Sequence, residues 1–163
     1  MRGIRRKEKE IKNREELFSI LKEAKYITIA MSHDDEPYLT TLSHGFDEEN
    51  NCIYFHCAQE GKKVDILRLN NKIWGQALID HGYVDGLCDH LYATIHFKGT
   101  VEFIDNIDEK RYALMVMIQQ LENNPAQVAE EQITEKSLTR VGIGKITINA
   151  MSGKKSKDVL ISM

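Results

Sequence analysis

The stretch richest in chemistry is Tyr54-Phe55-His56-Cys57-Ala58-Gln59-Glu60-Gly61-Lys62-Lys63. It reads as a strand, a glycine-containing turn, and the first turn of a helix carrying two lysines. Free backbone N–H groups and the helix dipole favour a phosphate at such a place. Lys62 and Lys63 would add charge-assisted bonds to it. The same residues also read as a solvated basic turn, and spacing alone leaves both readings open. Strand alternation puts Cys52, Tyr54 and His56 on one face and Ile53, Phe55 and Cys57 on the other. His56 therefore stands at the strand end beside the turn, as a functional imidazole or as a satisfied core histidine.

Other chemistries find less support. Zinc sites pair their ligands at spacings such as C-x₂-C, and neighbours on a strand point apart, so His56 and Cys57 are poor joint ligands. No metal is expected. No nucleophile elbow, Walker loop, dinucleotide fingerprint or H-E-x-x-H pattern occurs. Gly142-x-Gly144 is a two-glycine fragment inside a strand and carries little weight. Nothing near the cysteines would lower a thiol pKa enough for nucleophilic catalysis. Two terminal basic clusters, Arg2, Arg5, Arg6, Lys7 and Lys154, Lys155, Lys157, lack interleaved aromatics and read as solvated tails.

The elements that must position these residues follow from periodicity and breakers. Asn13 offers an N-cap to a helix over 13–25, with Leu17, Ile20, Leu21 and Ala24 at helical spacing. Strands are predicted over 26–31, 38–46, 52–57, 72–80, 91–104 and 139–151, the first two forming a hairpin. A short helix follows Gly61, and 81–89 reads as a loop. Gly99 marks a bulge or close approach. Asp108 is expected to cap a helix over 109–122, and Pro125 to open another over 126–137. Residues 1–12 form a charged arm and 152–163 a Lys-rich tail. Six strands joined mostly by short turns predict a mainly β, α+β fold: an antiparallel barrel rather than a doubly wound sheet.

The composition bounds the rest. A chain of 163 residues is one domain, spanning 1–163. Its 22 basic and 25 acidic side chains give a net charge of −3, which excludes a globally basic nucleic-acid binder. No apolar run is long enough to span a membrane. The basic start MRGIRRKEKE has no apolar stretch after it, which predicts a cytoplasmic protein. Cys52, Cys57 and Cys88 read as free, buried thiols.

The order of these pieces resembles the pyridoxamine 5′-phosphate oxidase-like flavoproteins, and within them the nitroimidazole-resistance branch. The features that carry it are Arg5-Arg6-Lys7, Pro37-Tyr38 before Thr41-Leu42-Ser43, and Ile53 to Ala58 followed by Gly61-x-Lys63. Asn70, Tyr92-x-Thr94-Ile95 with Gly99, Glu109-Lys110 with Ala113-Leu114, and Ser152-Gly153-Lys154 continue it along nearly the whole chain. The resemblance implies a six-stranded antiparallel split β-barrel of FMN-binding type. It implies a homodimer with FMN in clefts at the subunit interface. Thr40, Thr41, Leu42 and Ser43 would then line the flavin, partly through backbone groups. His56, Cys57 and Ala58 would run beside it, and Lys62 and Lys63 would hold its phosphate. Tyr92 and Thr94 would approach from the partner subunit. Many relatives have proline at Thr41 and an aromatic at His44, so His44 could face the flavin or substrate space. The late Arg-rich segment of the B6 enzymes is not evident.

Two functions follow from that likeness. In the first, an oxidoreductase passes electrons from a donor such as NAD(P)H to a nitro-aromatic or quinone-like acceptor, with His56 as the catalytic candidate. In the second, the barrel stores or senses flavin, or binds haem through His56, His90 or His96.

Overall fold

The computed structural model describes residues 3–157 and 159–161. It contains eight strands and five α-helices among those residues. The strands are β1 (Glu10–Ile11), β2 (Tyr26–His33), β3 (Glu36–Ser43), β4 (Gly45–Asp47), β5 (Cys52–Cys57), β6 (Lys72–Val84), β7 (Asp89–Ile104) and β8 (Gly142–Lys155). The helices are α1 (Arg14–Glu23), α2 (Lys62–Leu69), α3 (Ile107–Leu121), α4 (Pro125–Gln132) and α5 (Glu135–Arg140). All pairings are antiparallel, in the order β3-β2-β6-β7-β8-β5-β4, with β1 added on β8. The sheet curls until β3 lies against β5. All six expected strands are present, and β1 and β4 are short additions.

Burial follows the alternation of each strand. Ile27, Ile29 and Met31 of β2 point inward with Ile73, Gly75 and Ala77 of β6. Ile53 and Phe55 of β5 join the same core, closed at one end by Leu17, Ile20 and Leu21 of α1. Ile20 and Leu21 are fully buried, and each stabilises the fold by roughly 1.5–3 kcal/mol. The other face of β5 carries Cys52 and Tyr54, which pack with Ala113 and Met117 of α3 in a second cluster. Both faces of β5 are thus covered until His56, which is exposed.

Two glycines give the large rings their seats. A β-carbon at Gly144 would stand 2.2 Å from the Phe55 ring, and one at Gly75 would stand 2.1 Å from the Phe97 ring. Each phenylalanine lies opposite its glycine in register. Gly144 is therefore a packing position, a role that a strand pattern alone does not reveal. The bulge expected at Gly99 is present, as a register shift against β8 between Lys98 and Gly99.

Several boundaries differ from expectation for local reasons. Helix α3 is capped by Asn106, not Asp108, because the Asn106 side chain accepts from the N–H groups of both Asp108 (2.9 Å) and Glu109 (3.0 Å). The helix expected over 126–137 is two helices, since Thr134 and Ser137 form a reciprocal cap that starts α5. The loop expected over 81–89 narrows to a turn. Strands β6 and β7 extend into it, and His90 Nε2 meets Asp80 Oδ1 at 2.7 Å. The N-terminal arm is pinned by β1, and the tail begins later because β8 runs to Lys155. The three cysteines are free, but only Cys52 is buried; Cys57 is half-buried and Cys88 exposed. No helix among the described residues is long and apolar enough to cross a membrane.

His44 is wholly buried between α1 and α3, which corrects its expected place in the flavin or substrate space. Its Nε2 donates to the Leu21 carbonyl at 2.8 Å, and Gln120 Nε2 donates to the same oxygen at 3.1 Å. That oxygen belongs to the last turn of α1, where carbonyls lack helical partners. Burial pushes the His44 pKa down, against the Leu21 bond, which favours the charged form. The folded chain therefore binds fewer protons here than the unfolded chain. Stability present above about pH 6.5 is lost as pH falls below it, by up to about 1.4 kcal/mol per pH unit. Burial and Lys154 also lower His96, which adds in the same direction. Urea denaturation between about pH 5 and 7.5 should show this slope, and His44→Gln should remove the His44 share of it. An unchanged slope in the variant would assign the effect elsewhere.

Candidate functional site

The end of β5, the start of α2 and the edge of β3 converge on one corner of the barrel. His56 and Cys57 pair with Ile143 and Gly142 of β8. A β-carbon at Gly142 would stand 2.9 Å from the Ala58 carbonyl oxygen and 3.2 Å from Cys57 Sγ. Glycine there lets β8 press against the β5–α2 turn. Gly61 caps α2 at φ 130°, a conformation that side-chain-bearing residues rarely adopt. Its carbonyl accepts from Val64 N at 2.8 Å and Asp65 N at 3.0 Å. The N–H groups of Lys62 and Lys63 precede that ladder and have no acceptor within the helix. The positive end of the α2 dipole thus coincides with two lysines.

Both lysines are tied to the neighbouring strands. Lys62 Nζ lies 4.8 Å from the centre of the Tyr38 ring on β3, a contact worth about 0.5–1 kcal/mol where exposed. Lys63 is half-buried near Cys57. Burial pushes the Cys57 thiol up and Lys63 opposes it, leaving a neutral thiol rather than a nucleophile.

β3 is an edge strand, so one side of its backbone has no sheet partner among the described residues. Its residues divide between faces. Thr40 and Leu42 sit opposite Ile29 and Ile27 on the core side, while Thr41 and Ser43 sit opposite Thr28 and Tyr26 on the outer side. Side chains from all four cannot line one ligand, but the strand's backbone edge can. On the outer face Thr41 Oγ1 is 3.0 Å from Thr28 Oγ1. Thr28 lies opposite Gln76, which donates to Thr94 Oγ1 at 3.3 Å. Thr94 donates in turn to the Ala77 carbonyl at 2.9 Å. This polar track borders a cleft of about 630 Å³ lined also by Tyr26, Leu78 and Asp80. Thr28 and Gln76 escaped the sequence reading. Their signal is polarity at alternate positions among buried Ile27, Ile29 and Ala77.

The remaining candidates are dispersed. Thr94 is buried with its hydroxyl committed within the chain. Tyr92 sits two residues away between Lys9 and Lys154. Both are on β7, three strands from β3. His56 opens onto a mainly apolar cavity of about 300 Å³ lined by Met117, Ile118, Leu121, Val128 and Ile133. An exposed imidazole thus separates the basic turn from an apolar cavity. His90 is held by Asp80. No group of three or more metal-ligating side chains occurs among the described residues.

Comparison with known proteins agrees with this architecture. Residues 13–155 match the family described as pyridoxamine 5′-phosphate oxidase. A search of curated proteins gives no match. Among solved structures, a candidate 5-nitroimidazole antibiotic resistance protein from Bacteroides thetaiotaomicron is similar, with TM-score 0.76 and 23% identity over 89% of this chain and 85% of that one. An FAD- and haem-binding protein from Mycobacterium smegmatis gives 0.76 and 19% over 95% of this chain and 76% of its own. An FAD-binding protein from Mesorhizobium loti gives 0.64 and 15% over 88% and 95%. With a match across most of its length, the chain belongs to the pyridoxamine 5′-phosphate oxidase family and has that family's flavin-binding split-barrel fold.

Proposed function

We propose that this chain binds FMN and is an oxidoreductase, passing electrons from a reduced donor such as NAD(P)H to a small nitro-aromatic or quinone-like acceptor. The observation that carries the reading is the meeting of the free β3 edge with the N-terminus of α2, where Lys62 and Lys63 lie. A phosphate at that helix end would meet free N–H groups and two ammonium groups together. The backbone edge from Thr40 to Ser43 would take the flat ring and its chain, with His56, Cys57 and Ala58 alongside. The flavin supplies the redox chemistry when bound, and the protein supplies position and electrostatics. His56 would hold or deliver a proton from an imidazole nitrogen, and the apolar cavity beside it suits a flat, weakly polar acceptor. Similarity to two FAD-binding proteins supports a flavin and keeps FAD as the competing cofactor.

A haem-binding or sensing role is the second reading, favoured by likeness to a flavocytochrome from Azotobacter vinelandii and to the Mycobacterium smegmatis protein. His56 is the exposed imidazole best placed to serve it. A cofactor shared between two copies would explain an outer face left unfinished in one chain. Tyr26, Leu39, Trp74 and Leu78 on the outer side of β2, β3 and β6 are 43–65% exposed. Patches of that kind mark interaction surfaces, and the proposed partner is a second copy of this chain.

Three outcomes are expected. Replacing Lys62 and Lys63 together by alanine should weaken FMN binding about 10- to 100-fold, from the loss of charge-assisted bonds, and leave riboflavin nearly unchanged. Equal weakening of both would remove these lysines from the phosphate site. His56→Ala should keep its flavin yet lose about 10²-fold in turnover, measured by anaerobic reduction with NAD(P)H and reoxidation by a nitro-aromatic. Unchanged turnover would take His56 out of the chemistry. Leu39→Glu combined with Leu78→Glu should convert a sedimenting dimer to monomer with loss of flavin. A wild-type monomer that binds FMN tightly would contradict the shared cleft.

A further inference from the structure

The two basic termini are not separate solvated tails. Pairing of Glu10 with Lys154 and Ile11 with Gly153 lays the N-terminal segment along β8 and across the end of β7. Arg2 lies outside the described residues, but Arg5, Arg6 and Lys9 there join Lys154 around one cavity of about 230 Å³. Tyr92 and His96 of β7 complete its wall. Lys9 Nζ is 5.6 Å and Lys154 Nζ 6.0 Å from the centre of the Tyr92 ring, so one aromatic ring contacts two ammonium groups.

The charges in this cavity are poorly compensated from within the chain. Its lining contains no carboxylate. Glu8 touches Arg6 at the limit of an ion pair, 4.0 Å, while Glu10 is bonded to Lys7 and Glu16 to Lys155. No ion pair involves Arg5, Lys9 or Lys154 among the described residues. Four like charges around a small space repel one another, and an anion of high charge density is the ligand that removes the repulsion. Two of them are guanidinium groups, whose forks match the oxygens of phosphate. The volume admits a phosphate group and a few atoms beyond it.

The geometry points to a second anion site in this cavity, built by Arg5, Arg6, Lys9 and Lys154 with Tyr92 and His96, for a phosphate group that is free or carried on a small substrate. Its lining shares no residue with the turn at Gly61. Tyr92, which the family likeness would bring to the flavin from the partner subunit, is the one residue common to this site and the flavin reading. His96 supports it: burial and Lys154 hold its pKa below the usual range, and a bound dianion would reverse the second effect.

The test uses the full chain with whatever cofactor it retains. Inorganic phosphate is titrated by calorimetry at constant ionic strength, and the His96 ring is followed by NMR over pH. Saturable binding is expected, with an upward shift of the His96 pKa of about half a unit or more. Arg5→Gln with Lys154→Gln should weaken phosphate at least 10-fold, while Lys62→Ala with Lys63→Ala should not. NADPH binding tighter than NADH, with the difference lost in the Arg5 and Lys154 variant, would identify the phosphate as one carried on a substrate. Equal binding of both would leave free phosphate as the source. No saturable binding by the wild type, or an unmoved His96 pKa at saturating phosphate, would overturn the site whatever the variants do.

Discussion

The barrel closes on two phenylalanine rings that occupy space left by glycines on the neighbouring strands. Phe55 sits over Gly144, and Phe97 over Gly75. Packed interiors tolerate little change in volume, so these contacts hold β5 on β8 and β7 on β6 in one register. The candidate site is a consequence. With Phe55 fixed, His56 and Cys57 emerge where β5 leaves the core, and Gly142 admits the turn that follows. Gly61 then reverses the chain into α2, whose N-terminus faces the edge of β3. One packing arrangement thus fixes the imidazole, the basic helix end and the free strand edge relative to one another.

Electrostatics are local in this molecule. The net charge of −3 describes the surface as a whole, yet positive charge gathers at two small places. At α2 the lysines reinforce a helix dipole. On β7 and β8 the basic side chains come from opposite ends of the sequence, joined by a strand of two residues. Between them the outer face carries a polar track of hydroxyl and amide groups and a set of exposed apolar side chains. Such a surface is suited to both a polar ligand and another protein surface.

Much of this was legible in the sequence because its signals are local. Alternation located the six long strands, Asn13 and Gly61 marked helix starts, and the ordered motifs indicated the fold. The turn at Gly61 with Lys62 and Lys63 stood out as a candidate because helix dipole and charge coincide within a few residues, although spacing alone also left a solvated basic turn open. What escaped depends on long-range packing. Nothing local distinguishes Gly144, the seat of a ring, from a glycine that merely weakens a strand. His44 lies next to an exposed strand end in sequence and is nevertheless sealed by α1 and α3. Thr28 and Gln76 gain significance only through their cross-strand neighbours Thr41 and Thr94. The union of the two basic termini needed the β1–β8 register, which no spacing rule supplies.

The central claim is that the corner formed by β3, β5 and α2 holds a flavin. The most direct measurement is the visible absorption spectrum of freshly purified protein, followed by titration of any empty fraction with FMN. The account predicts oxidised-flavin bands in the blue and near ultraviolet, saturating at one flavin per chain. A Soret band, or no change in the FMN spectrum on titration, would contradict it.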